Sequence, residues 1–296
     1  MSRRLELTIT PELAGIKVDT LLKKHLGLSG TVVKRIKWLE DGILLDGARV
    51  HTDFRPAAGQ VLSVRLSDPA RNSGIVPAPG PLDIVYEDVD LIVLNKAPGV
   101  SVHPGPGHFD DTLGNFLLYH YDKEGENADF HPVHRLDRGT SGLLVAAKHP
   151  HAQEVLKNQL HTEDFRRVYL AVCEGVPGPP AGAVDAPLGP KPGSLMEQMV
   201  RPDGKPARTR YAVLRRWGER SLVSLELETG RTHQIRVHMA HIGHPLTGDF
   251  LYGTEDPALI PRPALHSAYL SLLHPLTREE LRFSVPLPAD MARLRA

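Results

Sequence analysis

Apolar positions in this 296-residue chain recur with two periods, and where one replaces the other marks the elements. Residues 18–26 place Val18, Leu21, Leu22 and Leu26 on one helical face, and Gly27 stops the helix. Ser29 or Thr31 caps a second helix predicted to reach about Glu40, with Gly42 at its end. Val32, Val33, Ile36 and Leu39 form its apolar stripe, and Lys34, Arg35 and Lys37 project from the other side. Residues 43–45 and 48–50, joined by Asp46-Gly47, read as a hairpin, and 60–66 alternates as a strand. The next stretch is rich in Pro, Gly and Ser and has no period, which predicts a linker. The expected organisation is a small α+β domain over 1–67, a linker over 68–81 and a larger domain over 82–296.

In the larger part, 82–86 and 91–95 form a hairpin signal, followed by a turn-rich loop holding His103. A helix is predicted over 111–121, capped by Asp110 or Asp111, then a strand over 142–148 and an amphipathic helix over 150–161. Strands follow at 167–174, 207–216 and 221–229. Thr232 is the expected cap of a helix over 233–242, and strands at 265–273 and 280–286 close the chain. Many strands succeed one another without helices between them. The fold class expected is therefore α+β: a mixed, largely antiparallel sheet with flanking helices, plus the small N-terminal domain. No Gly-rich phosphate loop of the dinucleotide or P-loop type is present.

Composition adds little until it is localised. At 41% hydrophobic, the chain can bury a sizeable core. The single cysteine, Cys173, excludes an internal disulfide and a cysteine-rich metal site, and fits a reducing cytosol. With no signal-peptide pattern and no run long enough to span a bilayer, the expectation is a soluble cytoplasmic monomer. The 35 Lys/Arg and 35 Asp/Glu cancel, which argues weakly against a uniformly basic nucleic-acid coat. Residues 1–67 nevertheless carry 11 basic against 7 acidic residues and 131–240 carry 16 against 11, whereas 68–130 carry 3 against 11. Two basic blocks flanking an acidic one are the footprint of a polyanion site, though solvated faces of ordinary elements produce the same count.

Three segments carry candidate chemistry. In His131–Gly142 the carboxylate of Asp137 is bracketed by Arg135 and Arg138, in a loop just before an apolar strand. Opposite charges keep a carboxylate ionised and oriented, as a nucleophile or base requires. The three charged residues alone are equally an ordinary surface ion cluster. In 229–239, Arg231 stands at a helix start and Arg236 inside the helix beside an apolar face, where it either snorkels to solvent or pairs with a carboxylate such as Asp137. In Arg166-Arg167-Val168-Tyr169, the tyrosine shares a strand face with Ala171, ordinarily a packing role.

Together, HRLDRGTSGLLVAAK, RRVYLAV and TGRTHQIRVHMAHIGHPLTGD, with NKAPGVSVHPG before them, resemble the ribosomal large-subunit pseudouridine synthase family over residues 82–286. The 1–67 segment resembles the RNA-binding module shared by a small-subunit ribosomal protein and tyrosyl-tRNA synthetases. The resemblance implies isomerisation of uridine in RNA without cofactor or metal. It implies Asp137 as catalytic aspartate, Tyr169 as the residue packing on the target base, and Arg236 as the cation paired with Asp137, with Arg231 as rival. Ile235 is a candidate pocket residue. Asp137 then attacks the anomeric carbon or removes a 2′ proton. Lys34, Arg35, Lys37, Arg135, Arg166, Arg167 and Arg231 are the candidate RNA contacts. The sequence departs from the family pattern at Gly139, where many members carry Asp, and at Ala97-Pro98, where many read Pro-Ala.

The implied partner is 23S rRNA or a pre-ribosomal particle. The competing readings are the same reaction on tRNA and a non-catalytic RNA-binding or assembly factor. The 16 histidines invite a metal site, because His238 and His241 share a helix face. No HExxH pattern is present, and the matched motifs account for His134, His233 and His238 without metal.

Overall fold

The computed structural model describes residues 3–68, 70–160 and 162–295. Met1, Ser2, Pro69, His161 and Ala296 lie outside the described residues. With them go the outer ends of both expected domains, one linker position and the last residue of the helix expected at 150–161.

The N-terminal part is a four-stranded antiparallel sheet in the order β1-β4-β2-β3, formed by β1 (Arg4–Thr8), β2 (Ile43–Leu45), β3 (Ala48–Arg49) and β4 (Val61–Arg65). Helix α1 (Val18–Thr20) continues as a wider π turn over Leu21–His25, and α2 (Gly30–Ile36) follows. Val18, Leu21, Leu22, Val32, Val33 and Ile36 pack with Leu62 and Val64 into a core of their own. The Ser29 hydroxyl caps α2 by accepting from Val32 N–H at 3.2 Å. The helix ends at Ile36 and not near Glu40, because the chain turns back sharply there: a Cβ on Gly42 would lie 1.9 Å from the Ile36 carbonyl oxygen. The Asp46-Gly47 turn has φ of +49° and +81°, the left-handed pair that a tight hairpin needs. β1 was not expected from the sequence.

Residues 70–81 contain no helix or strand but are held along the larger part. Arg71 donates to the Ala128 and Glu126 carbonyls, and Asp129 accepts from the Asn72 and Ser73 N–H groups. Ion pairs and a hydrogen bond tie the N-terminal part to the linker and the larger part. Arg3 forks onto Asp90, Arg35 reaches Asp68, and Ser29 donates to Glu154. Asp90 is buried and also faces His149 at 3.0 Å. Burial opposes its charge, but the His149 and Arg3 hydrogen bonds prevail and bring its carboxyl down to about 2.

The larger part is one mixed sheet. Its strands are β5 (Ile84–Glu87), β6 (Leu91–Lys96), β7 (His131–Pro132), β8 (Ser141–Ala147), β9 (Arg166–Glu174), β10 (Ala181–Asp185), β13 (Arg208–Trp217), β14 (Arg220–Leu227), β15 (Leu265–Leu273) and β16 (Glu280–Ser284). β11 (Leu188–Pro190) and β12 (Gln198–Val200) form a separate small hairpin. The main path runs β10-β13-β14-β9-β15-β8-β6-β5, and every pairing is antiparallel except β15 with β8. β15 is forked: its His266 and Ser267 pair with β8, whereas its last five residues pair with β16. The helices are α3 (Leu113–Lys123), α4 (Pro150–Gln159), α5 (Gln234–His241) and α6 (Ala289–Ala292). β7, β10, β11, β12 and α6 were not foreseen; they are short, and several are exposed and rich in Gly or Pro.

Two helix caps differ from expectation. Thr112, and neither Asp110 nor Asp111, caps α3 in a reciprocal box with Asn115. His233, and not Thr232, occupies the cap position of α5, with left-handed φ of +56°. Among the described residues, no helix is long and apolar enough to cross a membrane.

Candidate active site

Three adjacent strands bring the candidate residues together. Tyr169 on β9 lies opposite Ser267 on β15, and Ser267 lies opposite Gly142 on β8. Asp137 precedes Gly142 in the loop entering β8. Gly142 has φ of +106°, and a Cβ there would meet the Ser267 backbone oxygen at 2.2 Å, so glycine permits the close crossing of β8 and β15.

Asp137 is partly exposed and lines two cavities. The smaller, about 60 Å³, is lined by Tyr169, Ile235, Arg135, Arg231 and Leu265 among others. The larger, about 520 Å³, opens past Phe250, Met196 and Pro98. Among the described residues, none of the 11 carboxylates of residues 68–130 lines either cavity.

Arg236 lies beside Asp137 as an ion pair, but its hydrogen bonds go to another carboxylate. Arg236 is buried in α5, and its guanidinium forks onto Asp249, Nε to Oδ2 and Nη2 to Oδ1, both at 2.7 Å. Its Nη1 stands 3.8 Å from Asp137 Oδ2, an ion pair but not a hydrogen bond. Asp249, fully buried, also accepts from the Leu251 and Tyr252 N–H groups. Burial works against the Arg236 charge, and Asp249 more than offsets it, so the guanidinium is held charged above its ordinary value. Arg236 also stacks on Tyr252, 5.0 Å from the ring centre. The rival, Arg231, donates its Nε to the Pro206 carbonyl and makes no ion pair with Asp137.

Gln234 seats the start of α5. Its amide donates to the Arg208 carbonyl and the Thr209 hydroxyl and accepts from the Thr229 hydroxyl and the Arg231 N–H. Lys96 braces the Asp137 loop from behind. It is buried, and its ammonium donates to the carbonyls of Ala97, Val100 and Arg138 at 2.8, 2.8 and 3.3 Å. Burial, helped by Arg262 nearby, pushes its ammonium down to about 7, and Asp137 opposes that shift.

Tyr169 is buried, which raises its phenol above the ordinary value, while Arg167 beside it pulls the other way. Its hydroxyl is therefore protonated at neutral pH. Arg167 is itself buried, with an Nε that has no hydrogen-bond partner among the described residues, and lies over the Phe165 ring at 5.7 Å. It lines a neighbouring groove together with Arg166, which is solvent-exposed and forked onto Glu226. Arg135 is exposed at the rim of the smaller cavity. His134 is half-buried with its ring enclosed, and that enclosure, with Arg167 adding to it, pushes its imidazole well below the ordinary value. Far from this site, Lys34 and Arg35 are exposed on α2, and the Lys37 ammonium lies 4.8 Å from the ring centre of exposed Trp38. Sequence reasoning assigned no role to Asp249, Lys96 or Tyr252.

The arrangement is a carboxylate at a cavity junction, a charged guanidinium beside one of its oxygens, and a protonated phenol on the cavity wall. Such a set can act on a ribose while a flat base lies against the phenol. Comparison with known proteins agrees. The family described as RNA pseudouridylate synthase matches residues 90–241. The uncharacterized RNA pseudouridine synthase YjbO of Bacillus subtilis is 41% identical over 270 residues, covering 91% of this chain and 95% of that protein. The ribosomal large subunit pseudouridine synthase D of Nitrosomonas europaea is 38% identical over 300 residues, 98% of this chain and 86% of that protein. Among solved structures, human RNA pseudouridylate synthase domain containing 1 superposes with a TM-score of 0.58 at 28% identity, over 70% of this chain and 85% of that one. The chain therefore belongs to the RNA pseudouridylate synthase family and is an isomerase acting on RNA.

Proposed function

We propose that this enzyme converts specific uridines of large-subunit ribosomal RNA to pseudouridine, with Asp137, Tyr169 and Arg236 as its catalytic set. The observation that carries the reading is the Asp137 carboxylate at the junction of two cavities, with Oδ2 turned toward Arg236 and Tyr169 on the wall of the smaller one. The rRNA target rests on relatives such as the Nitrosomonas europaea protein, which is named for the large subunit.

The reaction breaks the bond from ribose C1′ to uracil N1, turns the base, joins C1′ to C5, releases the C5 proton and returns a proton to N1. No electrons are gained or lost. By either route open to it, C1′ attack or 2′-proton removal, Asp137 acts as the anion. Arg236, anchored by Asp249, holds a fixed positive charge beside Oδ2 and leaves Oδ1 toward the sugar. Tyr169 offers its ring face to the extruded base, and its hydroxyl belongs to the wall of the same cavity. Arg135 at the rim fills the space the base vacates or meets a phosphate, and Arg231 contributes a second cation there. Arg166 and Arg167 line a neighbouring groove, where Arg166 is open to a phosphate and Arg167 is buried beside Tyr169.

Residues 1–67 act as an RNA-binding domain, 68–81 as a linker and 82–296 as the catalytic domain. The separate N-terminal core, the exposed Lys34 and Trp38 and the half-buried Lys37 support this division: ammonium groups meet phosphates and an exposed indole stacks on a base. Arg35 contributes to the same face while held by Asp68. The test is Asp137→Asn. It is expected to fold and bind RNA normally and to form no pseudouridine in ribosomal RNA from cells lacking the native enzyme; substantial turnover would exclude Asp137 as the acting anion.

A further inference from the structure

We propose that His233 is a positioning residue for Asp137, and that its proton is placed by a relay from the β11–β12 hairpin through Tyr252. The proposal rests on the catalytic reading of Asp137 given above. His233 caps α5 in the left-handed region, φ +56°, a conformation disfavoured for a residue with a Cβ. It keeps that backbone while its ring bridges two partners. Nδ1 lies 2.8 Å from the Tyr252 hydroxyl, and Nε2 lies 3.9 Å from Asp137 Oδ2.

The direction of each proton follows from donor counting. The Gln198 backbone N–H donates to the Tyr252 oxygen at 2.8 Å. The single Tyr252 proton is then free to donate, and its one acceptor among the described residues is His233 Nδ1. Burial disfavours the charged imidazole, so His233 is neutral, and its one proton sits on Nε2, facing Asp137. The surrounding charges are Asp137 and Arg135 from the catalytic loop, Arg236 from the same helix, and Asp249 beyond it; the two carboxylates favour protonation and the two arginines oppose it. Asp137 Oδ2 thus stands between the Arg236 guanidinium and an imidazole N–H. Oδ1 carries no hydrogen bond among the described residues, so closure of the 3.9 Å gap fixes the carboxylate with Oδ1 toward the ribose. Because Gln198 belongs to β12, whose preceding loop carries the exposed Met196 beside the larger cavity, the hairpin, Tyr252 and His233 share one hydrogen-bonded line that ends 3.9 Å from the catalytic carboxylate.

Three variants separate this role from simple packing. Tyr252→Phe keeps the ring against Arg236 and removes the relay proton. His233→Asn tolerates the left-handed backbone and retains an amide near Tyr252 but is too short to reach Asp137. His233→Gln restores the reach. The rate of a single turnover at saturating RNA is expected to fall about 10- to 100-fold in Tyr252→Phe and His233→Asn, with RNA affinity unchanged and partial recovery in His233→Gln. The double variant should be no slower than His233→Asn alone. Multiplying losses, or a change confined to affinity, would overturn the relay. Imidazole ¹⁵N shifts of the RNA-free protein provide a readout independent of turnover. Native His233 should be the Nε2–H tautomer, and Tyr252→Phe should populate Nδ1–H. A native Nδ1–H tautomer would refute the inference even if the enzyme modifies RNA as proposed.

Discussion

Replacing Gly142 by alanine tests how closely the active site depends on the crossing of β8 and β15. The added Cβ would stand 2.2, 2.7 and 2.8 Å from the Ser267 carbonyl oxygen, amide nitrogen and carbonyl carbon, all backbone atoms that no side-chain rotation can move aside. The φ of +106° adds a second cost, since an L side chain rarely occupies that region. Overpacking costs about 1–3 kcal/mol and the backbone strain about 1–3 kcal/mol, so a total of about 2–6 kcal/mol is expected. Such a loss is a large part of a typical stability of about 5–15 kcal/mol. At about 2–4 °C per kcal/mol, Tm should fall by roughly 5–20 °C. Relief requires Ser267 to retreat, and Ser267 is the register partner of Tyr169, so Tyr169 would move relative to Asp137. A displacement near 1 Å can cost on the order of 100-fold in rate. Calorimetry and a pseudouridine assay well below Tm measure the two effects. Gly218→Ala is the control, because its φ of +59° imposes strain while no atom lies within 4 Å of the new Cβ. If Gly142→Ala cost no more than Gly218→Ala and kept full turnover, the argument from close approach would fail.

Asp249→Ala should destabilise the protein by about 3–5 kcal/mol and abolish activity, since it leaves the buried Arg236 guanidinium without its forked partner; denaturant melts and turnover together check this. Stability from Asp90 should be fully present above its unfolded pKa of about 4 and should drain away as pH falls toward about 2, because its carboxyl is depressed in the fold. In Arg3→Ala that contribution should be smaller and its loss complete at higher pH, and an unchanged acid midpoint would argue against the Arg3–Asp90 tie. Lys34→Ala with Lys37→Ala should weaken RNA binding and flatten its salt dependence by roughly 0.7–0.9 logarithmic units per lost phosphate contact, leaving single-turnover rate at saturation intact. A binding curve with the native salt slope would remove this face from the RNA interface.

The parts of the site that announce themselves in the sequence are those encoded by local pattern. The Asp137 loop stood out by its bracketing arginines and the apolar strand behind it. Tyr169 sat on a legible strand, and Asp46-Gly47 specified its turn outright. The parity of that same strand also put Arg167 on the Tyr169 face, two residues away, so its burial was readable though it was assigned to phosphate contact. Other features depend on folding over distance. Arg236 takes Asp249 as its main partner because the chain after α5 curls back beneath it, and no periodicity encodes that return. His233 caps α5 through a left-handed backbone that tertiary contacts impose, which made Thr232 the better guess from residue type alone. β10 to β12 are short and partly exposed, so they lack the alternation that marks a strand.

The short parallel contact of β8 and β15 has a kinetic consequence. Ser141, at the end of the catalytic loop, bonds His266 across 125 residues of intervening chain. Closing a loop of that size costs about 4 kcal/mol of chain entropy before any contact rewards it. The hairpins β5–β6 and β13–β14 carry no such burden and can form early. The catalytic loop therefore takes its final position only once two distant stretches of the chain have met, so recovery of activity on refolding should trail the recovery of strand content.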